Sequence, residues 1–420
     1  MSATMSPDQR RAYDGILAWS LDKGSDEDAT LAGYAGCGKT FTLAQMAQEW
    51  RRRGVRVAWV APTGKAALVL RDTLARYGVD AEVSTIHRAF LHPVKDDEGK
   101  LRWRQKVDAD VPDVVVVDEA SMLTEDVWLL VKARAAGAKF LYVGDHFQLP
   151  AIGRSAKVMD HPTWRLETIH RQSEGSPILR FASLVRTDSI GAALGYAMSL
   201  GGEPESSEPL VCLRGGQMHV KGSEAAVRWT YGDAGDGMII VGTNRQRVAV
   251  NRLARRVLRA SGRDDVMPEA GDVMMVLMNS PKHGVVNGEL VRVDRFRDFD
   301  PGHVCVVSYA RTPLALVDET DKVVLDNYRD QIIEDDRMAM RLRAAGAPPG
   351  WDDCKKRDDL IMTYGWALTA HKSQGSQAQR VLVDHDRIIG KTEEEQRRWF
   401  YTAATRAQKA LRLVRGLRAW

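Results

Sequence analysis

Leu31 to Ala47 read LAGYAGCGKTFTLAQMA, and this stretch decides the fold. Gly33 to Thr40 is G-x-x-x-x-G-K-T. It stands between a short apolar run, ATLAG, and a segment of helix formers that ends at Gly54. Glycines at that spacing let backbone N–H groups wrap a phosphate, and the helix that follows adds its N-terminal dipole. The residues expected around the nucleotide are Gly33, Ala35, Gly36, Cys37, Gly38, Lys39, Thr40 and Phe41. Lys39 would reach the β and γ phosphates, and the Thr40 hydroxyl would sit on Mg²⁺.

A phosphate loop of this kind needs a parallel sheet behind it, and the flanking segments supply one. VRVAWVAPT, DVVVVDEAS and AKFLYVGDHFQLP are near-continuous apolar runs alternating with helix-like segments. That texture predicts an α/β fold with parallel strands covered on both faces. Asp118 and Glu119 follow the apolar run of the second of these. At a strand end Asp118 can hold Mg²⁺ through water, and Glu119 can polarise an attacking water. A nucleotide with Mg²⁺ is therefore expected at the site, and nucleotide hydrolysis is the expected chemistry.

The chain has 420 residues, 44% of them apolar, enough for two or three domains. A net charge of only +4 excludes a histone-like basic protein, so any nucleic-acid surface must come from local clustering of its 60 Lys and Arg. Cys37, Cys212, Cys305 and Cys354 form no CxxC pair, which argues against a zinc site or a disulfide framework and fits a cytoplasmic setting. No apolar run is long enough to span a membrane.

The motifs that follow, in order along nearly the whole chain, resemble superfamily 1 helicases of the RecD-like and phage Dda-like group, which move 5′ to 3′. Gln9 in SPDQRRAYDG resembles the glutamine that reads the adenine edge. APTGKAA, with Pro62, Thr63 and Lys65, and STIHRAF, with Thr85 and His87, resemble the DNA-contacting motifs of the first core. VGDHFQLPAIG is similar to the G-D-x-x-Q-L-P motif, which makes Gln148 the γ-phosphate sensor. LETIHRQ places Arg171 as an arginine finger, with His170 where the family often has an adenine-stacking aromatic. ALTAHKSQGSQ, with Thr369, His371 and Lys372, resembles the strand-contacting motif of the second core. YTAATRAQKAL places Arg406 as the second finger.

The resemblance implies two RecA-like cores: residues 1–91 and 111–169, then 170–266 and 361–420. Residues 92–110 read as a hairpin insertion turning near Asp97-Glu98-Gly99. Its Trp103, flanked by basic residues, is a candidate wedge or base-stacking group. Residues 267–360 read as a β-barrel-like insertion with a helical segment, and Asn287-Gly288 is its strongest hairpin signal. The expected function is an ATP-dependent DNA helicase and translocase. It would act as a monomer on single-stranded and duplex DNA, by closing and opening the two cores, with a single-strand-binding or replication protein as a candidate partner. An RNA helicase of the same superfamily and an ATP-gated DNA-binding or loading protein are the alternatives. Cys37 occupies a variable loop position and raises the question of a thiol-sensitive ATPase.

Overall fold

The computed structural model describes residues 5–24, 27–95, 101–106, 111–168, 176–201, 210–212, 220–232, 236–259, 269–277, 285–293, 296–298, 303–306, 323–325 and 360–417. The chain divides into two compact units, residues 1–175 and 176–420.

The first unit contains α1 (Pro7–Leu21), β1 (Ala29–Gly33), α2 (Lys39–Arg53), β2 (Val57–Ala61), α3 (Gly64–Arg76), β3 (Val83–Thr85) and α4 (Ile86–Phe90). Then come β4 (Leu91–Lys95), β5 (Leu101–Gln105), β6 (Val114–Val117), α5 (Glu125–Arg134), β7 (Lys139–Gly144) and β8 (Trp164–Leu166). Six strands form one sheet in the order β3-β2-β6-β7-β1-β8, and every pairing in it is parallel. β1, β6 and β7 are buried along their whole length, as strands covered on both faces must be. One apolar cluster, including Leu43, Met46 and Trp50 of α2, fills one face. A second, including Val115, Val117 and Phe140, fills the other. β4 and β5 form a separate antiparallel pair in which Pro93 stands opposite Trp103.

The second unit opens with α6 (Pro177–Thr187), α7 (Ile190–Ser199), β9 (Leu210–Cys212), α8 (Val220–Tyr231), β10 (Gly237–Val241) and α9 (Asn244–Leu258). A run of short strands follows: β11 (Val273–Val276), β12 (Leu290–Arg292), β13 (Phe296–Asp298), β14 (His303–Val306), β15 (Val323–Leu325) and β16 (Leu360–Tyr364). The unit ends with β17 (Ala367–Thr369), α10 (Ala370–Ser373), β18 (Ala378–Asp384), α11 (Glu393–Ala404) and β19 (Ala407–Val414). Its core is a parallel sheet in the order β17-β10-β18-β19-β9.

β11 to β16 pair into a six-stranded mixed sheet, β12-β11-β16-β15-β14-β13. That sheet takes in Leu360–Tyr364, so it extends past the boundary expected at residue 360. The turn at Asn287-Gly288 is closed by the Glu289 N–H on the Val286 carbonyl at 3.1 Å. Only Gly288 has positive φ, so the turn has type II geometry rather than the type I′ that an Asn-Gly pair usually signals.

α9 joins the two sheets of this unit. Arg247, Asn251 and Arg255 recur every fourth residue on one face of α9, and Arg259, the residue that caps the helix, follows at the same interval; all four are buried. Asn251 exchanges both amide atoms with the backbone of Ala367 on the edge strand β17, at 2.9 and 3.2 Å. Arg255 lies over the Tyr364 ring, 3.7 Å from its centroid. Arg259 pairs with Asp272 and Glu269, each at 3.2 Å.

Candidate nucleotide site

In the first sheet β1, β7 and β6 are consecutive neighbours and run in parallel, so their C-terminal ends lie side by side. The segments leaving those ends are Tyr34–Gly38, Asp145–Leu149 and Asp118–Glu119. Open α/β sheets bind ligands at this edge.

The phosphate loop has the backbone its glycines were expected to allow. Gly36 and Gly38 have φ of 85° and 81°, a left-handed conformation that side chains disfavour. A Cβ at Gly33 would lie 2.4 Å from the Cys37 sulfur, so a side chain there would displace the loop. Gly36 is the third residue of a turn closed by the Cys37 N–H on the Tyr34 carbonyl. Lys39 opens α2, and its ammonium donates to the carbonyls of Gly33 (2.8 Å) and Tyr34 (3.2 Å). Burial opposes its charge, but the field of Cys37, Asp145, Glu119 and Asp118 outweighs that and holds the ammonium above its ordinary pKa. Burial raises the pKa of the Cys37 thiol, so at neutral pH the carboxylates carry that effect. Ala35 lies in the same turn, and Phe41 sets its ring edge against Tyr77 at 5.6 Å.

At the end of β6, Asp118 is pushed up to about 7, by burial and by the neighbouring Glu119 carboxylate. Two crowded carboxylates are a seat for a cation. Their oxygens and the Thr40 hydroxyl are hard donors, and so few protein ligands suit Mg²⁺, which keeps several waters and takes phosphate oxygens. Glu119 has φ 51° and ψ 39°, one of two positive-φ residues other than glycine among the described residues. Backbone strain of this kind clusters at working sites.

Gln148 is buried in the loop after β7. Its backbone N–H donates to the Asp145 carbonyl at 3.1 Å, and its side-chain Oε1 has no hydrogen-bond partner among the described residues. The Ala151 N–H donates to the Ser121 carbonyl at 3.0 Å, which ties this loop to the one carrying Glu119.

Gln9 is buried in the first turn of α1. Its Oε1 accepts the Ser6 N–H and its Nε2 donates to the Cys37 carbonyl, both at 3.0 Å. The amide that the resemblance assigns to the adenine edge therefore also ties α1 to the phosphate loop. Asp8 beside it was not singled out from the sequence. Its carboxylate accepts the Ser6 hydroxyl and the N–H groups of Gln9 (3.0 Å), Glu167 (2.8 Å) and Thr168 (2.9 Å). Burial alone would raise its pKa, but these bonds hold it below the usual carboxylate range. Asp145, also overlooked, is fully buried, and its only sequence signal was the second position of GDHFQLP. His170 and Arg171 lie outside the described residues.

The expected DNA contacts fall into two groups. In the first unit, β2 and β3 pair with Ala61 opposite Thr85, so Pro62, Thr63, Thr85 and His87 leave the same sheet edge. Thr63 and Thr85 both cap helices, accepting the N–H groups of Ala66 and Arg88 at 3.2 Å. Lys65 is half-buried in the first turn of α3. Burial lowers the pKa of His87 against the pull of Asp126. The Trp103 backbone belongs to β5, and its side chain lies outside the described residues. In the second unit, buried Thr369 ends β17, followed by half-buried His371 and exposed Lys372 in α10. Burial lowers the pKa of His371 as well.

Arg406, expected as a finger, is buried inside the second unit. Its guanidinium donates to the carbonyls of Thr402 (3.0 Å) and Ser376 (3.3 Å) and to the Thr405 hydroxyl (3.2 Å).

Residues 4–201 match a family model described as an AAA domain, and residues 364–414 match the UvrD-like helicase C-terminal domain. Over 97% of its length the chain is 26% identical to the RecBCD enzyme subunit RecD of Mycobacterium tuberculosis, of which it covers 68%. It is 25% identical over 99% of its length to the conjugal transfer protein TraA of Rhizobium radiobacter. To the ATP-dependent RecD2 DNA helicase of Deinococcus radiodurans it is 33% identical over 36% of its length. It covers only 33% of that TraA and 21% of that RecD2. A crystal structure of Bacteroides Pif1 bound to ssDNA covers 98% of this chain and 92% of its own, with a TM-score of 0.55 at 16% identity, a likeness of fold. Among the described residues no helix is long and apolar enough to cross a membrane.

Proposed function

We infer that this chain belongs to the RecD/Pif1-like branch of superfamily 1 and is an ATP-dependent DNA helicase that moves 5′ to 3′ on single-stranded DNA. One observation carries the reading. Lys39, the Asp118-Glu119 pair and Gln148 leave adjacent parallel strands at one sheet edge, in a chain that also matches a helicase C-terminal segment.

The roles follow from charge and reach. Backbone N–H groups of the phosphate loop and Lys39 hold the phosphates. Thr40 and Asp118 hold Mg²⁺, which supplies charge neutralisation for phosphoryl transfer. Glu119 orients and deprotonates the attacking water, and Gln148 monitors the γ-phosphate. Arg171 and Arg406 are assigned to the charge that builds up as the γ-phosphate leaves. Pro62, Thr63, Lys65, Thr85, His87, Thr369, His371 and Lys372 are assigned to phosphates and sugars, a grip that does not read sequence. Trp103 is assigned to the duplex junction. Hydrolysis is coupled to a change in how the two units hold the strand.

Duplexes with a 5′ or a 3′ single-stranded tail test this. The 5′-tailed substrate is expected to be unwound with ATP and Mg²⁺, and the reaction to stop with EDTA or with Lys39→Ala. Unwinding of the 3′-tailed substrate alone reverses the direction, and unwinding that survives Lys39→Ala removes the mechanism. Stimulation of ATP hydrolysis by RNA rather than DNA oligonucleotides supports an RNA helicase. Steady DNA-stimulated hydrolysis without strand displacement supports an ATP-gated binding protein.

A further inference from the structure

Two loops of the nucleotide site are joined by a side-chain contact to which the reading above gives no role. The Tyr34 hydroxyl lies 3.3 Å from His146 Nε2, and the two rings are 5.1 Å apart at 46°. Both side chains are half-buried.

Each partner sits at the pivot of its own loop. Tyr34 is the first residue of the phosphate-loop turn, and its carbonyl accepts the Cys37 N–H (3.3 Å), the Cys37 thiol (2.9 Å) and the Lys39 ammonium (3.2 Å). Any movement of that ammonium towards a phosphate oxygen changes the hold on Tyr34. His146 is the second residue of the turn that carries Gln148. That turn is closed by the Gln148 N–H on the Asp145 carbonyl at 3.1 Å and by the Phe147 N–H on the Asp145 carboxylate, also at 3.1 Å. Gln148 thus hangs from a turn whose second residue, His146, is fastened to the phosphate loop. Its Oε1 is buried and unpartnered among the described residues, so small shifts of the turn alter what it meets.

We propose that Tyr34 and His146 are positioning residues: the link between them transmits nucleotide occupancy from the phosphate loop to Gln148. Coupling of this kind needs a contiguous physical connection between two elements, and here it is one hydrogen bond with a ring contact behind it. The proposal rests on the nucleotide reading above.

Two measurements test it on the full chain. The first needs no turnover. Hydrogen exchange of the Phe147 and Gln148 amides is followed with and without a non-hydrolysable ATP analogue and Mg²⁺. Nucleotide is expected to slow both amides in the unaltered chain. In Tyr34→Phe and in His146→Phe the phosphate loop is still protected, but the response at 147 and 148 is lost.

The second is a mutant cycle in ATP hydrolysis. Tyr34→Phe is expected to lower kcat by about three- to tenfold, the worth of one hydrogen bond, with a smaller effect on KM. In a Gln148→Ala background it adds no further loss, because the path it serves has already been removed. A purely structural role gives additive losses instead. If the chain binds no nucleotide, the nucleotide reading fails and the proposal fails with it. If it binds nucleotide and Tyr34→Phe still protects 147 and 148, the link alone is overturned. Additive losses in the cycle overturn it too.

Discussion

The carboxylate of Asp8 accepts the backbone N–H of Thr168 at 2.9 Å, joining the first turn of α1 to a segment 160 residues further along the chain. With the Glu167 N–H beside it, Asp8 fixes the strand exit that leads towards His170 and Arg171.

Asp8→Asn puts an amide where several N–H groups converge, and is expected to cost about 1–3 kcal/mol of stability at neutral pH. Because the folded state depresses the pKa of Asp8, its contribution is present above the ordinary carboxylate range and is lost as pH falls below it. Urea midpoints of the two proteins should therefore lie well apart at pH 7 and closer at pH 3. An equal gap at both values would show that the ionised carboxylate is not what matters.

Glu119 combines a proposed chemical role with an unfavourable backbone. Glu119→Gln is expected to lower kcat by about 10²–10⁴-fold while nucleotide binding persists. Glu119→Gly should lose the same activity yet be more stable than Glu119→Ala by about 1 kcal/mol, because glycine adopts a φ of 51° without penalty. Equal midpoints for the Gly and Ala variants would mean that the strain is not stored at this residue.

The Cys37 thiol is fully buried, donates to the Tyr34 carbonyl at 2.9 Å and has a raised pKa. These features oppose reaction, which requires an exposed thiolate. Iodoacetamide at pH 8 is expected to leave Cys37 unmodified in the folded chain, by mass spectrometry of its peptide, and the ATPase rate unchanged. Stoichiometric labelling without unfolding would restore the idea of a thiol-sensitive loop.

Arg406→Ala is expected to weaken the second unit as well as hydrolysis. It leaves the carbonyls of Thr402 and Ser376 and the Thr405 hydroxyl without their guanidinium donor, at about 1–3 kcal/mol. Arg406→Lys cannot reproduce the fork and should recover only part of that. An unchanged urea midpoint for Arg406→Ala would assign the residue to catalysis alone.

Local chemistry made the phosphate loop readable. Gly36, Gly38 and Lys39 act within a few residues of one another, so their spacing carries the geometry. The Asp118-Glu119 pair was readable for a related reason, since an all-valine strand can only be central and must end at the sheet edge. What escaped depends on distant partners. Asp8 looks like an ordinary first-turn carboxylate until Thr168 is brought to it, and Tyr34 and His146 meet only because β1 and β7 are neighbours. The buried row on α9 looks like a solvated basic face, and becomes a seam only once a second sheet covers it. Arg406 was legible as a motif residue, but its burial and its bond to the Ser376 carbonyl, thirty residues away, were not.

The parallel sheet of the second unit also constrains the order in which the chain can fold. β10, at Gly237–Val241, pairs on both sides with strands that begin at Ala367 and Ala378, beyond the whole mixed sheet. During synthesis β10 must therefore wait, with both its edges unpaired, until residues 367–384 have left the ribosome. In the first unit β1 waits in the same way for β7 and β8, which begin at Lys139 and Trp164, but β9 of the second unit waits longer still, for β19 at Ala407. The second is the part of the molecule most exposed to misfolding, and a chaperone bound to the nascent chain would find its longest-lived target there.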